Sequence, residues 1–189
     1  MFLQQKVVIK MSSKRYTPLE LMEKLVSFPT VSRDSNLPLV KWVEGYLADH
    51  DIIAHWHYDE TGEKAALFAH VGPDIEGGIV LSGHTDVVPV ANQKWKTNPF
   101  ELHKQGKKYF GRGTADMKSF VAIVLSLVPK IISMNLKKPV HIMLSYDEEI
   151  GCVGIQKAVP FLKSMKKKPS YCIVAVSYTH LTLPTKRIV

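Results

Sequence analysis

Cysteine is scarce. Cys152 and Cys172 are the only two in 189 residues, too few for a disulfide framework and without the C-x-x-C spacing of a redox or metal motif. Both are read as ordinary reduced thiols. Long apolar runs are also missing: the longest, residues 120–128, is interrupted by Ser126 and falls short of the roughly 20 residues a membrane-spanning helix needs. Residues 1–10 hold a short apolar patch, but no continuous core of about 7–15 apolar residues and no small-residue cleavage site. They do not read as a secretory signal; a cytoplasmic location is expected, with residues 1–15 an extension ahead of the domain. The sequence shows no internal repeat or low-complexity tract, which argues against a solenoid and against a disordered linker.

The formal charge is +8, which raises the question of a nucleic-acid partner. The lysines are dispersed, at Lys104, Lys107 and Lys108, then Lys137 and Lys138, then Lys163 and 166–168. No aromatic stacking residues are interleaved with them. A solvated basic surface is expected, with neither nucleic acid nor membrane as partner.

What is present is an alternation of strand and helix patterns. Residues 17–28 open with Thr17 and Pro18, with Glu20 three positions on, the arrangement of a capping box. Residues 37–50 carry an apolar stripe of Leu39, Trp42, Val43, Tyr46 and Leu47, with Asn36 expected as its cap and Pro38 in its first turn. Residues 65–71 and 78–83 read as interior strands. Residues 117–132 are apolar on nearly every side and are expected to form a buried helix, bent near its end by Pro129. A strand over 140–145, a helix over 151–165 that tolerates Pro160, and a strand from 171 to 174 follow. Strands alternating with helices imply an α/β sheet.

The residues that carry chemistry stand at the ends of these elements. His84 and Asp86 follow the run Ile79-Val80-Leu81, and alternate strand residues share a face. An imidazole and a carboxylate meet there, as when a metal-ligating histidine donates its second N–H to an acidic partner. A strand-end histidine satisfied by Thr85 fits the same pair. Asp116 follows Gly111-Arg112-Gly113-Thr114 at a helix start, where orphan amides favour a negative side chain, so a plain helix cap would also account for it. The glycines lack the third member and the preceding strand of a dinucleotide loop. Asp147, Glu148 and Glu149 crowd a strand's carboxyl end. Their repulsion needs compensation, and a divalent cation would keep a ligand ionised while leaving its neighbour free to carry a proton.

Taken together, SGHTDVVPV, GRGTADMKSF and SYDEEIGCVG resemble the three N-terminal signatures of the aminoacylase, carboxypeptidase and acetylornithine-deacetylase family of di-zinc hydrolases. TVSRDSNLPLVKWVEGYL and KWKTNPF bring the likeness nearest to its acetylornithine-deacetylase members, over residues 16–175. The resemblance implies a three-layer α/β, zinc-peptidase-like catalytic domain with a mostly parallel central sheet. It implies His84 as ligand of one zinc, Asp116 as the carboxylate bridging both, and Glu149 as ligand of the second. Asp86 would orient His84, and Glu148 would be the general base. The cofactors would be two Zn2+ per complete site, with Co2+ able to substitute. The implied partner is a small N-acylated amino acid, foremost N2-acetyl-L-ornithine, cleaved to L-ornithine and acetate in arginine biosynthesis. Succinyl-diaminopimelate desuccinylase and dipeptidase activities are the alternatives within the family, and a non-catalytic binding module is the alternative outside it.

The sequence departs from the family pattern after its last strand. A Gly-Glu-Pro-Thr-like segment should follow there and supply another ligand, but the chain reads AVSYTHL. Residues 176–189 continue neither helix nor strand and resemble a translated adaptor sequence, so they are expected to be foreign to the domain. The lid and dimerisation domain, through which the parent would form a homodimer, and a distant histidine ligand are also missing from the sequence. The expectation is therefore a truncated catalytic domain over residues 16–175, inactive by itself, because three ligands cannot saturate two tetrahedral ions.

Overall fold

The computed structural model describes residues 15–175; residues 1–14 of the expected extension and the expected foreign tail, 176–189, lie outside the described residues. Helix α1 (Pro18–Val26) starts on the capping box read from the sequence. The Thr17 hydroxyl accepts from the Glu20 amide at 3.2 Å, and Glu20 Oε2 accepts from the Thr17 amide at 2.7 Å, so two orphan donors are satisfied reciprocally. Helix α2 (Leu37–Ala48) carries the expected stripe, with Leu39, Val40, Val43, Tyr46 and Leu47 buried.

Five strands form the central sheet: β1 (Ala54–Tyr58), β2 (Ala65–Val71), β3 (Ile79–His84), β6 (Val140–Ser145) and β7 (Tyr171–Val174), in the order β1-β2-β6-β3-β7. β3 runs parallel to both β6 and β7, whereas β2 is antiparallel to both β1 and β6. Only β2 therefore opposes the common direction, and the sheet is mostly parallel. A separate hairpin pairs β4 (His103–Gln105) with β5 (Lys108–Phe110), and α3 (Lys118–Ser133) and α4 (Val153–Ser164) complete the elements.

The period-two alternation of strand side chains sorts the core into two layers. Leu67, Ala69 and Val71 of β2, with Ile142 and Leu144 of β6, pack under α1, α2 and α3. Ala66, Phe68, Val80 and Met143 pack under α4 on the opposite face. The result is the expected three-layer α/β architecture, in which burial of each large apolar side chain contributes about 1.5–3 kcal/mol. β2 and β3 are interior strands, as their apolar runs predicted. No helix among the described residues is long and apolar enough to cross a membrane.

Two local expectations are corrected. Asn36 makes no side-chain cap on α2; its amide accepts from the Ala65 N–H and donates to the Ala65 carbonyl and the Thr85 hydroxyl. It pins the start of α2 to β2 and to the end of β3, while Ser35 Oγ accepts from the Leu37 amide. Helix α3 is not buried all round. Val121, Ala122, Val124, Leu125 and Val128 face the core, while Ile123, Leu127 and Ile132 are exposed. One face packs on α1 and the sheet, and the outward stripe lies at the surface.

Candidate metal centre

β3 and β6 end side by side, with His84 paired to Ser145, so the chain leaving each strand arrives at the same rim. His84 is buried, and its Nδ1 donates to the Asp86 carbonyl at 2.9 Å, with the Asp86 carboxylate at 3.3 Å. The proton is thereby fixed on Nδ1 and Nε2 is aimed outward. Nε2 meets Asp116 Oδ1 at 3.0 Å and lies 3.6 Å from Glu148 Oε2. Asp116 is brought in by the turn ahead of α3, whose N-cap is Met117 without a side-chain cap bond. Its carboxylate is engaged with the imidazole, which disfavours the plain-cap reading.

The donor atoms of His84, Asp116 and Glu149 all lie within 4.8 Å of one another. Two donors bound at about 2.0–2.1 Å to one tetrahedral ion stand about 3.3 Å apart, so the His84 and Asp116 pair would open by a few tenths of an ångström to admit one. Donor chemistry, spacing and the orientation of the ring fit a divalent cation. The acidic groups around the ring favour positive charge there. Burial works against a charged His84, but hydrogen bonding and attraction from Asp86, then Asp116, outweigh it and hold the ring at about 9. Burial, then the neighbouring Asp116, lifts the Glu149 carboxyl. Asp86 is lowered despite its burial, because bonds from His84, Ser32 and the Glu148 amide stabilise its carboxylate.

Asp86 is the hub of the site. Its Oδ1 accepts from the Glu148 amide at 3.0 Å, and its Oδ2 accepts from the Glu149 amide at 3.3 Å and from Ser32 Oγ at 2.7 Å. Besides facing His84, it therefore fixes the turn that carries both glutamates. The three acidic neighbours are also not equivalent. Asp147 turns away to Lys64 Nζ at 2.6 Å and the Arg33 amide at 2.8 Å, leaving Glu148 and Glu149 to the site.

Sequence reasoning did not single out Ser32, Lys64 or the Arg33 amide. The segment 28–36 binds the rim together: Lys118 Nζ donates to the Phe28 carbonyl at 2.7 Å, and Thr30 Oγ1 donates to the Thr85 carbonyl at 2.5 Å. Lys118 is completely buried, which pushes its ammonium down to about 7 against the pull of Asp86. The two cysteines are free thiols.

Acidic and imidazole groups gathered at the carboxyl ends of sheet strands stand where open α/β enzymes place their sites. The profile of Peptidase family M20/M25/M40 matches residues 80–185, more than half of the chain, and the chain belongs to that family. It is 32% identical over 167 residues to the acetylornithine deacetylase of Yersinia pestis, covering 82% of this chain and 42% of that protein. The acetylornithine deacetylase of Buchnera aphidicola subsp. Schizaphis graminum is 30% identical over 162 residues, again covering 82% and 42%. The chain thus spans less than half the length of these relatives. Among solved structures, the M20 family metallo-carboxypeptidase Sso-CP2 from Sulfolobus solfataricus superposes with a TM-score of 0.73 at 18% identity, over 84% of this chain and 37% of that one. The di-peptidase Dug1p from Saccharomyces cerevisiae gives 0.68 at 20% identity, over 85% and 38%; both likenesses concern the fold.

Proposed function

We propose that this chain is the metal-holding part of a zinc-dependent amidohydrolase that removes the acetyl group from N2-acetyl-L-ornithine, giving L-ornithine and acetate in arginine biosynthesis. The observation that carries the reading is the convergence of His84, Asp116 and Glu149 within 4.8 Å, next to Glu148, a carboxylate outside that set. In this reading His84 would be a ligand of one ion, Glu149 of the other and Asp116 of both, with Zn2+ the physiological metal and Co2+ a substitute. When bound, the ions supply Lewis acidity at the scissile carbonyl and acidify water. Asp86 would hold the His84 ring through Nδ1, so that Nε2 faces the metal. Glu148, whose side chain is 42% exposed, takes a proton from water and returns it to the departing amine, a shuttle typically worth about 10²–10⁴-fold. The protein works in the cytoplasm on a small N-acylated amino acid, as a homodimer joined outside the residues present here.

The test is release of free amine from N2-acetyl-L-ornithine by the full-length protein loaded with zinc, with His84→Ala as control. Turnover lost in the control supports the assignment. Turnover of an N-succinyl substrate or a dipeptide with none of acetylornithine would overturn the substrate.

A further inference from the structure

Lys64 and Asp147 stand opposite each other because of strand register. β2 and β6 pair antiparallel with Leu67 facing Leu144, and the same pairing carried past the strand ends sets Lys64 against Asp147. The lysine Nζ donates to Asp147 Oδ2 at 2.6 Å, with the two side chains only 11% and 9% exposed. The other carboxylate oxygen accepts from the Arg33 amide at 2.8 Å. Asp147 itself has φ 51°, a left-handed conformation uncommon for a residue with a Cβ. There the chain turns out of β6, and the next two residues are Glu148 and Glu149.

A buried ion pair of this kind is weak evidence for stability, since apolar groups of similar shape often serve as well. Its value lies in what it fixes. Asp147 is a fourth carboxylate beside a cluster that already crowds Asp116, Glu148 and Glu149. Committed to Lys64 and the Arg33 amide, it is kept out of the donor set and holds one side of the turn, while Asp86 holds the other through the Glu148 and Glu149 amides.

We infer that Lys64 is a positioning residue, acting through Asp147 to set the Glu148–Glu149 turn against His84 and Asp116. The inference rests on the metal-holding reading of the site and adds to it a residue that touches no proposed ligand. Outer partners of this type typically change metal affinity by about 10–100-fold.

The test is Co2+ titration of the 189-residue chain, following visible absorption and affinity, with far-UV circular dichroism and melting of the metal-free form alongside. Wild type is expected to bind and His84→Ala to lose the signal, which checks the metal reading independently. Lys64→Met and Asp147→Gly are expected to bind at least about tenfold more weakly, with an altered band and a retained fold. Asp147→Gly keeps the backbone of the turn, because glycine accepts the left-handed conformation without strain, but it leaves Lys64 buried without its partner. If either single variant fails to fold, Lys64→Met with Asp147→Asn, which leaves no unpaired charge, should fold and still bind weakly. Wild-type affinity and spectrum in Asp147→Gly, or in the double variant, would overturn the inference while the metal reading stands. Failure of the wild-type chain to bind Co2+ would overturn both.

Discussion

Replacing Gly154 by alanine pits helix propensity against packing, and the structure says which wins. Gly154 lies in the first turn of α4, its N–H donating to the Tyr146 carbonyl at 3.0 Å. A Cβ there would fall 2.7 Å from Tyr146 Cγ and 2.8 Å from Cδ1, and closer still to the Tyr146 carbonyl oxygen. Tyr146 is itself buried, so neither ring nor backbone can give way cheaply. Alanine gains about 0.8–1 kcal/mol over glycine in a helix interior. Overpacking costs about 1–3 kcal/mol, and weakening the Gly154 to Tyr146 bond about 0.5–1.5 kcal/mol more. The balance is a net loss of roughly 1–3 kcal/mol, or about 2–12 °C in Tm at about 2–4 °C per kcal/mol for a domain of this size. Gly45 in α2 is the matched control: it is exposed, with nothing within 4 Å of its Cβ position, so Gly45→Ala should gain stability by about 0.5–1 kcal/mol. Thermal and urea unfolding of both variants is the assay. A rise in Tm for Gly154→Ala comparable to that for Gly45→Ala would refute the close contact between α4 and the end of β6.

Glu149→Gln should lose bound zinc after dialysis, a neutral amide being a poorer ligand, whereas Glu148→Gln should keep it. In the full-length protein Glu148→Gln should also lower turnover by about 10²–10⁴-fold; equal zinc loss in the two variants would show the roles to be misassigned. Tyr46 gives a test at alkaline pH: burial, then Tyr16, pushes its phenol up to about 12, and its hydroxyl donates to the Leu125 carbonyl at 2.9 Å. A raised folded-state pKa stabilises fully below the unfolded value of about 10 and is lost as pH climbs towards 12, at most about 2.7 kcal/mol. Wild type should therefore lose stability relative to Tyr46→Phe between pH 10 and 12 in urea titrations, and parallel pH profiles would contradict this.

Much of the frame was legible because local chemistry and burial agree. The Thr17 and Glu20 box, the glycine-bounded run in β3 and the apolar run in β6 each declare their element without help from distant residues. β1 did not, since His55 and His57 alternate with Ala54, Trp56 and Tyr58 and its residues are exposed or only half-buried. The β4–β5 hairpin was missed because each strand has three residues and none is buried. At the site, His84, Asp116 and Glu149 were readable as polar groups placed at element ends by their motifs, and the structure brings them together. Ser32 and Lys64 were not, because their partners Asp86 and Asp147 lie 54 and 83 positions away. Such pairings are made by topology, and one sequence gives no local trace of them.

The reversal of β2 governs the charge balance of the rim. Strands running one way all bring their carboxyl ends to this edge, together with whatever acids follow them. β2 alone arrives by its amino end, so a residue that precedes a strand stands beside residues that follow one. A cation is delivered from beneath the acidic turn, without a loop folding over Glu148. The neutralisation is consequently written into strand register as much as into residue identity. Slipping β2 by one position against β6 would set Glu63, a like charge, or Ala65, no charge at all, opposite Asp147, and would turn every β2 side chain to the wrong face at the same stroke.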